Sequence, residues 1–355
     1  MKKPSVLILY SLPAPFFPDG TPDLFGQESV LSRLHAAQEA LLSSHYPVQA
    51  LEAQGDLAAL LIQIRSARAD LVFNLCEEFL GRSRLEMNIA ALLELLDIPF
   101  TGSSALALGL SQDKGKTKSI LAHQGIPTPA YCVWQPGMDR LLSGLRFPLI
   151  IKPLREDASL GIDNDAFIPD EKTLQQQVQK IYQGYGQPVL VEEYIDGREL
   201  NVSILGNENA KVLPISEIDF SSMPPGLPRI CSYAAKWVES SREFSSTVPR
   251  CPAPLPPAIK KRVREVSLEA YRMMDCRDYA RVDIRLSPEG VPYVLEINAN
   301  PDISLDAGMT RSAKTAGFTY PEFIARIVEI SWARNVSLRS RGRSRKVSPQ
   351  RETRG

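Results

Sequence analysis

Histidine is nearly missing from this chain: three in 355 residues (His35, His45 and His123), with no ligand or triad spacing. Histidine-based acid–base chemistry therefore finds no support in the sequence. The five cysteines (Cys76, Cys132, Cys231, Cys251, Cys276) are scattered. That argues against a disulfide framework or a zinc site, and for a reducing, cytoplasmic setting. No apolar run is long enough to span a membrane. The apolar stretch after Met1-Lys2-Lys3 is short and is broken by Pro13 and Pro15. It reads as a buried first strand rather than a signal peptide. Net charge is zero, but the last segment departs from it: Asn335 to Gly355 holds seven Lys/Arg against one Glu, leaving −6 on the first 334 residues. That apolar-poor tail is expected to be disordered. It could touch RNA or an acidic surface, although a solvated tail without a partner is the preferred reading.

What remains is ordinary globular composition, 44% apolar and 23% charged, with length for two or three domains. Strands at Val6–Tyr10 and 70–75 alternate with helices at Ser29–Leu42, Leu57–Arg65 and Leu85–Leu96. Such alternation predicts an open α/β sheet. Domain boundaries are placed at 1–105, 106–189 and 190–334, with the tail at 335–355. The second unit holds a helix at 114–124, strands at 147–152 and Val189–Glu193, and a helix at 171–182. The third holds strands at Glu199–Leu205 and Lys211–Ile218 and a helix at Ala258–Met274 with an apolar stripe.

The most informative segment is the pair of strand-like runs 281–286 and 293–298. Strand alternation puts Arg281 with Asp283, and Glu296 with Asn298, on one face. Val282, Ile284, Leu286, Leu295 and Ile297 form the other, core-directed face. A two-residue Glu289-Gly290 loop sets Asp283 opposite Glu296; a four-residue loop slips the register by two. Oxygen ligands without histidine or thiolate suit a hard cation, magnesium above all. The alternative is a surface hairpin with an Arg–Asp pair. Elsewhere, Lys152 ends an apolar strand before a loop at 155–161, a way to hold phosphate oxygens. Glu192, Glu193 and Ile195 close another strand, where backbone groups could meet an adenine edge. Glu199, a turn later, could accept from ribose hydroxyls; the alternative is a charged edge leading into a hairpin.

These pieces, in this order, resemble the ATP-grasp superfamily and, within it, the D-alanine–D-alanine ligases. The resemblance runs from about residue 1 to 332. It rests on 92–103, Asp113-Lys114 with Thr117-Lys118, and Gly125-Ile126-Pro127-Thr128-Pro129. It continues through the Lys152 loop, Glu192–Glu199, Tyr233-Ala234-Ala235-Lys236-Trp237, Arg281-Val282-Asp283 and Glu296-Ile297-Asn298. It implies an ATP-grasp fold: an open α/β N-terminal domain, then two α+β subdomains sandwiching ATP. It also implies roles. Lys114, Lys152 and Lys236 meet the phosphates, and Ser159 lies in the loop that closes over them. Glu192, with the Glu193–Ile195 segment, binds adenine, and Glu199 holds ribose. Asp283, Glu296 and Asn298 hold two magnesium ions, manganese being an alternative. Arg281 and Lys236 serve the chemistry, in which a carboxylate becomes an acyl phosphate and an amine attacks it. Amino acids or a peptide are the implied substrates, and a homodimer is an available state.

The departures fall on the amino-acid side. Where the family has a loop serine, a tyrosine, a His-Gly pair, a glycine and a serine, this chain has Ala158, Trp237, Cys76-Glu77, Asp302 and Ala307; Glu28 is the candidate for an N-terminal glutamate. Asp302 and Asp306 either add negative charge at the second substrate, favouring a cationic or carboxyl-blocked one, or point to solvent. Two further readings stay open: a nucleotide-binding protein without turnover, and phosphoryl transfer to a hydroxyl.

Overall fold

The computed structural model describes residues 3–14, 26–138, 144–156 and 159–345. The N-terminal unit comprises β1 (Val6–Tyr10), α1 (Gly26–Ser43), β2 (Val48–Glu52), α2 (Leu57–Ser66), β3 (Leu71–Leu75) and α3 (Glu86–Leu95). Its strands form a parallel sheet in the order β2-β1-β3. The two apolar runs, β1 and β3, are covered on both faces, as parallel strands demand. The more polar β2, unforeseen in the sequence, takes the exposed edge.

The second unit runs through α4 (Ala105–Gln112), α5 (Lys114–His123), β4 (Tyr131–Trp134), β5 (Leu149–Pro153), β6 (Phe167–Ile168), α6 (Glu171–Tyr185) and β7 (Val189–Glu193). Ser104 and Asp113 cap α4 and α5 by accepting from Ala107 and Lys116 N–H groups. The antiparallel sheet is β4-β7-β5-β6. The Leu174, Val178 and Ile181 stripe of α6 packs against Trp134, Leu149 and Ile151.

The third unit contains β8 (Arg198–Leu205), β9 (Lys211–Val212), β10 (Ser216–Asp219), α7 (Tyr233–Trp237), α8 (Arg242–Ser246), β11 (Val248–Arg250), α9 (Pro257–Met273), β12 (Tyr279–Leu286), β13 (Pro292–Asn298), α10 (Gly308–Thr315) and α11 (Tyr320–Arg345). Its sheet is β11-β10-β8-β12-β13, with β9 beside β8. Helix α9 covers one face, where Leu200, Val202, Ile204, Val282, Ile284 and Ile297 are buried together. The expected single strand 211–218 is two strands, broken around Pro214.

The 281–298 hairpin adopts the register that pairs Arg281 with Asn298 and Asp283 with Glu296. The turn is nevertheless longer than two residues, spanning 287–291. A bulge after Asp283 absorbs the difference, since Ile284 pairs with Val294. Leu295 is the extra residue, so Val294 enters the core in place of the expected Leu295. The tail expectation is also corrected in part. Helix α11 continues to Arg345, so 335–345 are helical rather than disordered. The remainder, 346–355, lies outside the described residues.

Buried charges tie the units together. Asp278, fully buried, accepts from Gly102 N (3.0 Å), Asn207 Nδ2 (3.0 Å) and both Arg334 Nε (3.0 Å) and Nη2 (2.9 Å). Arg33, on the inner face of α1, is only 6% exposed; it pairs with Glu77 after β3 and with Asp302 (3.4 Å) beyond β13. Burial alone would raise the Asp302 carboxyl. Arg33, together with Ser304 N (2.9 Å) and Oγ (2.6 Å), holds it below the ordinary value. A carboxylate depressed in the folded state stabilises above its unfolded pKa of about 3.9 and loses that contribution as pH falls through the folded value. Arg33→Met should therefore cost about 2 kcal/mol at pH 7, less than a sealed ion pair because Glu77 and Asp302 are partly solvated. Urea midpoints should show the gap to wild type closing from about pH 5 to pH 2; a pH-independent gap would remove Asp302 from the account.

Candidate functional site

The face of the third sheet opposite α9 is polar, and strand alternation explains why. Leu200, Val202 and Ile204 point to the core, so Glu199, Asn201 and Ser203 must point the other way. Antiparallel register then aligns rows across the strands. Ser216, Asn201, Asp283 and Glu296 form one row; Ser203, Arg281 and Asn298 form the next; Glu199 and Arg285 stand together on the other side.

The Asp283 carboxylate is the centre of this face. Arg281 grips it bidentately (Nε to Oδ1 2.8 Å, Nη2 to Oδ2 2.8 Å), and Asn201 Nδ2 (2.8 Å) and Asn298 Nδ2 (3.0 Å) donate to it as well. Burial works against the Arg281 charge, but Asp283, Glu296 and Asp302 together raise its pKa above the ordinary value. Glu296 is surrounded by cations. Burial would raise its pKa, yet Lys114, Lys152, Lys236 and Arg281 bring it down to about 2. Lys114 Nζ lies 3.8 Å from Glu296 Oε2 and donates to the Glu156 carbonyl at 2.5 Å. Glu199 behaves oppositely: burial raises its carboxyl against the pull of Arg285, 3.6 Å away. Arg285 itself lies over the rings of Tyr194 and Phe220.

The second sheet faces these residues with its own charges. Glu192 is buried between Lys118 (2.6 Å) and Lys152 (2.8 Å). Burial pushes its carboxyl up, and the two ammonium groups more than reverse that. Lys118, wholly buried, also donates to Thr128 Oγ1 (2.9 Å), which donates to the Val294 carbonyl (2.8 Å) and joins the two sheets. Ser159, in left-handed backbone (φ 63°), donates to the Cys231 carbonyl (2.8 Å). Tyr233 N donates to the Ile162 carbonyl (2.8 Å), so the loop after β5 lies against the start of α7, which carries Lys236. Ala158 lies outside the described residues.

Most predicted site residues thus converge: Lys114, Lys152, Glu192, Lys236, Glu199, Arg281, Asp283, Glu296 and Asn298. Ile195 lies just past β7, where the ladder to β5 ends with Tyr194 N on the Pro148 carbonyl. Glu193 does not join the cluster through its side chain. It alternates to the other face from Glu192 and is held by Arg146 (Nε 3.1 Å, Nη2 2.9 Å), which lowers its pKa. Glu28 is exposed on α1. It lines a shallow groove of about 610 Å³ with Leu305, and none of the converging residues lines that groove. Three participants went unread in the sequence: Lys118, Asn201 and Arg285. Asn201 and Arg285 had a usable signal, each two residues from a predicted site residue on a strand.

Among the described residues no three His, Cys, Asp or Glu side chains gather into a metal cluster. Two opposed carboxylates and a carboxamide are an incomplete shell. That composition fits magnesium, which takes one or two carboxylates and fills the rest with water and phosphate oxygens. It does not fit a metal needing a closed protein cage.

A family model described as the D-ala D-ala ligase C-terminus matches residues 120–329. The D-alanine–D-alanine ligase of Pelotomaculum thermopropionicum is 30% identical over 79% of this chain and 85% of its own length. An uncharacterized protein of Sinorhizobium fredii is 37% identical over 74% of this chain and 75% of its own. The D-alanine–D-alanine ligase of Bacillus anthracis, solved with ATP, superimposes with a TM-score of 0.71 at 23% identity, covering 94% of this chain and 99% of that one. No described helix is long and apolar enough to cross a membrane. Sequence and fold agree: the chain belongs to the D-alanine–D-alanine ligase family, ATP-dependent ligases of the ATP-grasp fold.

Proposed function

We propose that the chain is a magnesium-dependent carboxylate–amine ligase that works through an acyl phosphate. The observation carrying this reading is the single polar face on which Glu199, Arg281, Asp283, Glu296 and Asn298 stand together, opposite Lys152 and Glu192. Lys114, Lys152 and Lys236 supply positive charge to a triphosphate. Their combined field at Glu296 supports their closeness to one another. Glu192 and the Ile195 backbone would meet adenine, and Glu199 the ribose hydroxyls. Asp283, Glu296 and Asn298 would hold two magnesium ions, whose chemistry is to neutralise β- and γ-phosphate charge during transfer. Arg281 would steady the carboxylate while its oxygen attacks the γ-phosphorus and ADP leaves. The amine nitrogen then attacks the acyl carbon, phosphate departs, and the nitrogen gives up a proton. The loop beginning at Ser159 and the α7 segment it touches would keep water from the acyl phosphate.

Asp283→Asn and Glu296→Gln should each lower kcat by about a thousandfold or more while leaving the circular dichroism spectrum unchanged; wild-type turnover at millimolar magnesium in either variant would refute the metal assignment. A panel of amino acids scored by ADP release identifies the substrate pair. Hydroxylamine should trap the acyl group as a hydroxamate when the first substrate and ATP are present. Nucleotide binding with no ADP and no hydroxamate across the panel would replace the ligase reading with that of a nucleotide-binding protein; ADP release needing no amine would point to a phosphotransferase.

A further inference from the structure

Arg285 is a charged side chain only 3% exposed, and the phosphate and metal roles leave it unused. It stands on β12 two residues beyond Asp283, and the register sets it directly against Glu199 of β8. Its Nε lies 3.6 Å from Glu199 Oε2, an ion-pair rather than a hydrogen-bond distance. The other guanidinium nitrogens are committed elsewhere: Nη1 donates to the Gly197 carbonyl (3.1 Å) and Nη2 to the Arg229 carbonyl. Cζ lies over the rings of Tyr194 and Phe220, 5.3 and 5.4 Å from their centroids. One fork thus joins the linker between β7 and β8, the Glu199 carboxylate and the backbone at Arg229.

The joined pieces are those that face a nucleoside. Ile195, whose backbone is the adenine candidate, sits between Tyr194 and Gly197, both of which Arg285 touches. Gly197 is pressed against β12 so closely that a Cβ there would lie 2.1 Å from the Leu286 carbonyl oxygen. The Glu199 carboxylate accepts no hydrogen bond among the described residues, so its oxygens are open to hydroxyl donors. Burial raises this carboxyl, with Asp283 and Glu296 adding to the effect; Arg285 is the strongest influence in the opposite direction, ahead of Lys236. A charged acceptor makes the stronger hydrogen bonds. A lysine could match the charge of Arg285, but not the planar fork that reaches two carbonyls and an acid at once.

We infer that Arg285 is the positioning residue of the nucleoside end: it holds Glu199 and the 194–197 backbone in the arrangement that recognises the ribose hydroxyls. This rests on the assignment of Glu199 to ribose above. With both Nη atoms on carbonyls, Arg285 acts through these neighbours rather than on the nucleotide.

The test measures dissociation constants for ATP and 2′,3′-dideoxyATP by calorimetry, with magnesium present and no amino acid. Wild type should prefer ATP by about tenfold or more, as charge-assisted hydrogen bonds to the ribose hydroxyls require. Arg285→Met should bind ATP about tenfold more weakly and keep at most about a twofold preference for it. A general loosening of the fold would instead weaken both nucleotides and leave the preference in place. Arg285→Lys should fall between, at about threefold, and decides the matter if the methionine variant does not fold. A preference of wild-type size in either variant would overturn the inference. Equal binding of the two nucleotides by the wild type would also overturn it, by removing the ribose assignment on which it rests. That outcome is visible before any variant is made, whereas failure of the Arg285 role alone shows only in the variants.

Discussion

The grip of Arg281 on Asp283 is the contact on which the site depends. It brings a guanidinium and a carboxylate onto a sheet whose opposite face is packed hydrophobic core. Either charge alone in that position would be costly to desolvate; together, with Asn201 and Asn298 donating to the same carboxylate, they are accommodated. The arrangement also fixes orientation. A carboxylate held by four donors cannot turn, so the groups beside it have set positions before any ligand arrives.

Charge around that contact is interleaved. Arg281, Arg285, Lys114, Lys118, Lys152 and Lys236 face Asp283, Glu192, Glu199, Glu296 and Asp302, and four of these cations, Lys114, Lys152, Lys236 and Arg281, act together on Glu296. The depressed Glu296 carboxyl reports this field directly. Its burial alone would push it up, and it is lysine and arginine charge that pulls it down.

Much of this was legible in the sequence because strands write their faces with a period of two. Arg281 and Asp283, then Glu296 and Asn298, could be assigned to one face before any coordinates existed. The apolar runs of β1, β3 and β7 likewise announced themselves. The failures share a cause, which is tertiary context. The bulge that moves Val294 inward and Leu295 outward follows from the five-residue turn, and Ser287-Pro288-Glu289-Gly290 is compatible with several turn lengths. Glu193 was expected to act through its backbone, and its side chain turns to the face opposite Glu192, where Arg146 holds it. Arg33 sits in an otherwise ordinary amphipathic helix, and nothing local marks it as the residue that meets Asp302 across 269 positions.

That last pair changes how the departures from the family pattern read. Asp302 stands where the family has glycine, and as a lone substitution it would place negative charge beside a substrate carboxylate. Arg33, which Asp302 shares with Glu77, and the Ser304 N–H and hydroxyl instead hold that carboxylate within the protein, as a tie between the N-terminal unit and the segment after β13. The substitutions at Asp302 and Ala307 therefore belong to different problems. One is answered by a buried arginine that couples two units. The other leaves the N-cap of α10, at Ala307, without a hydroxyl.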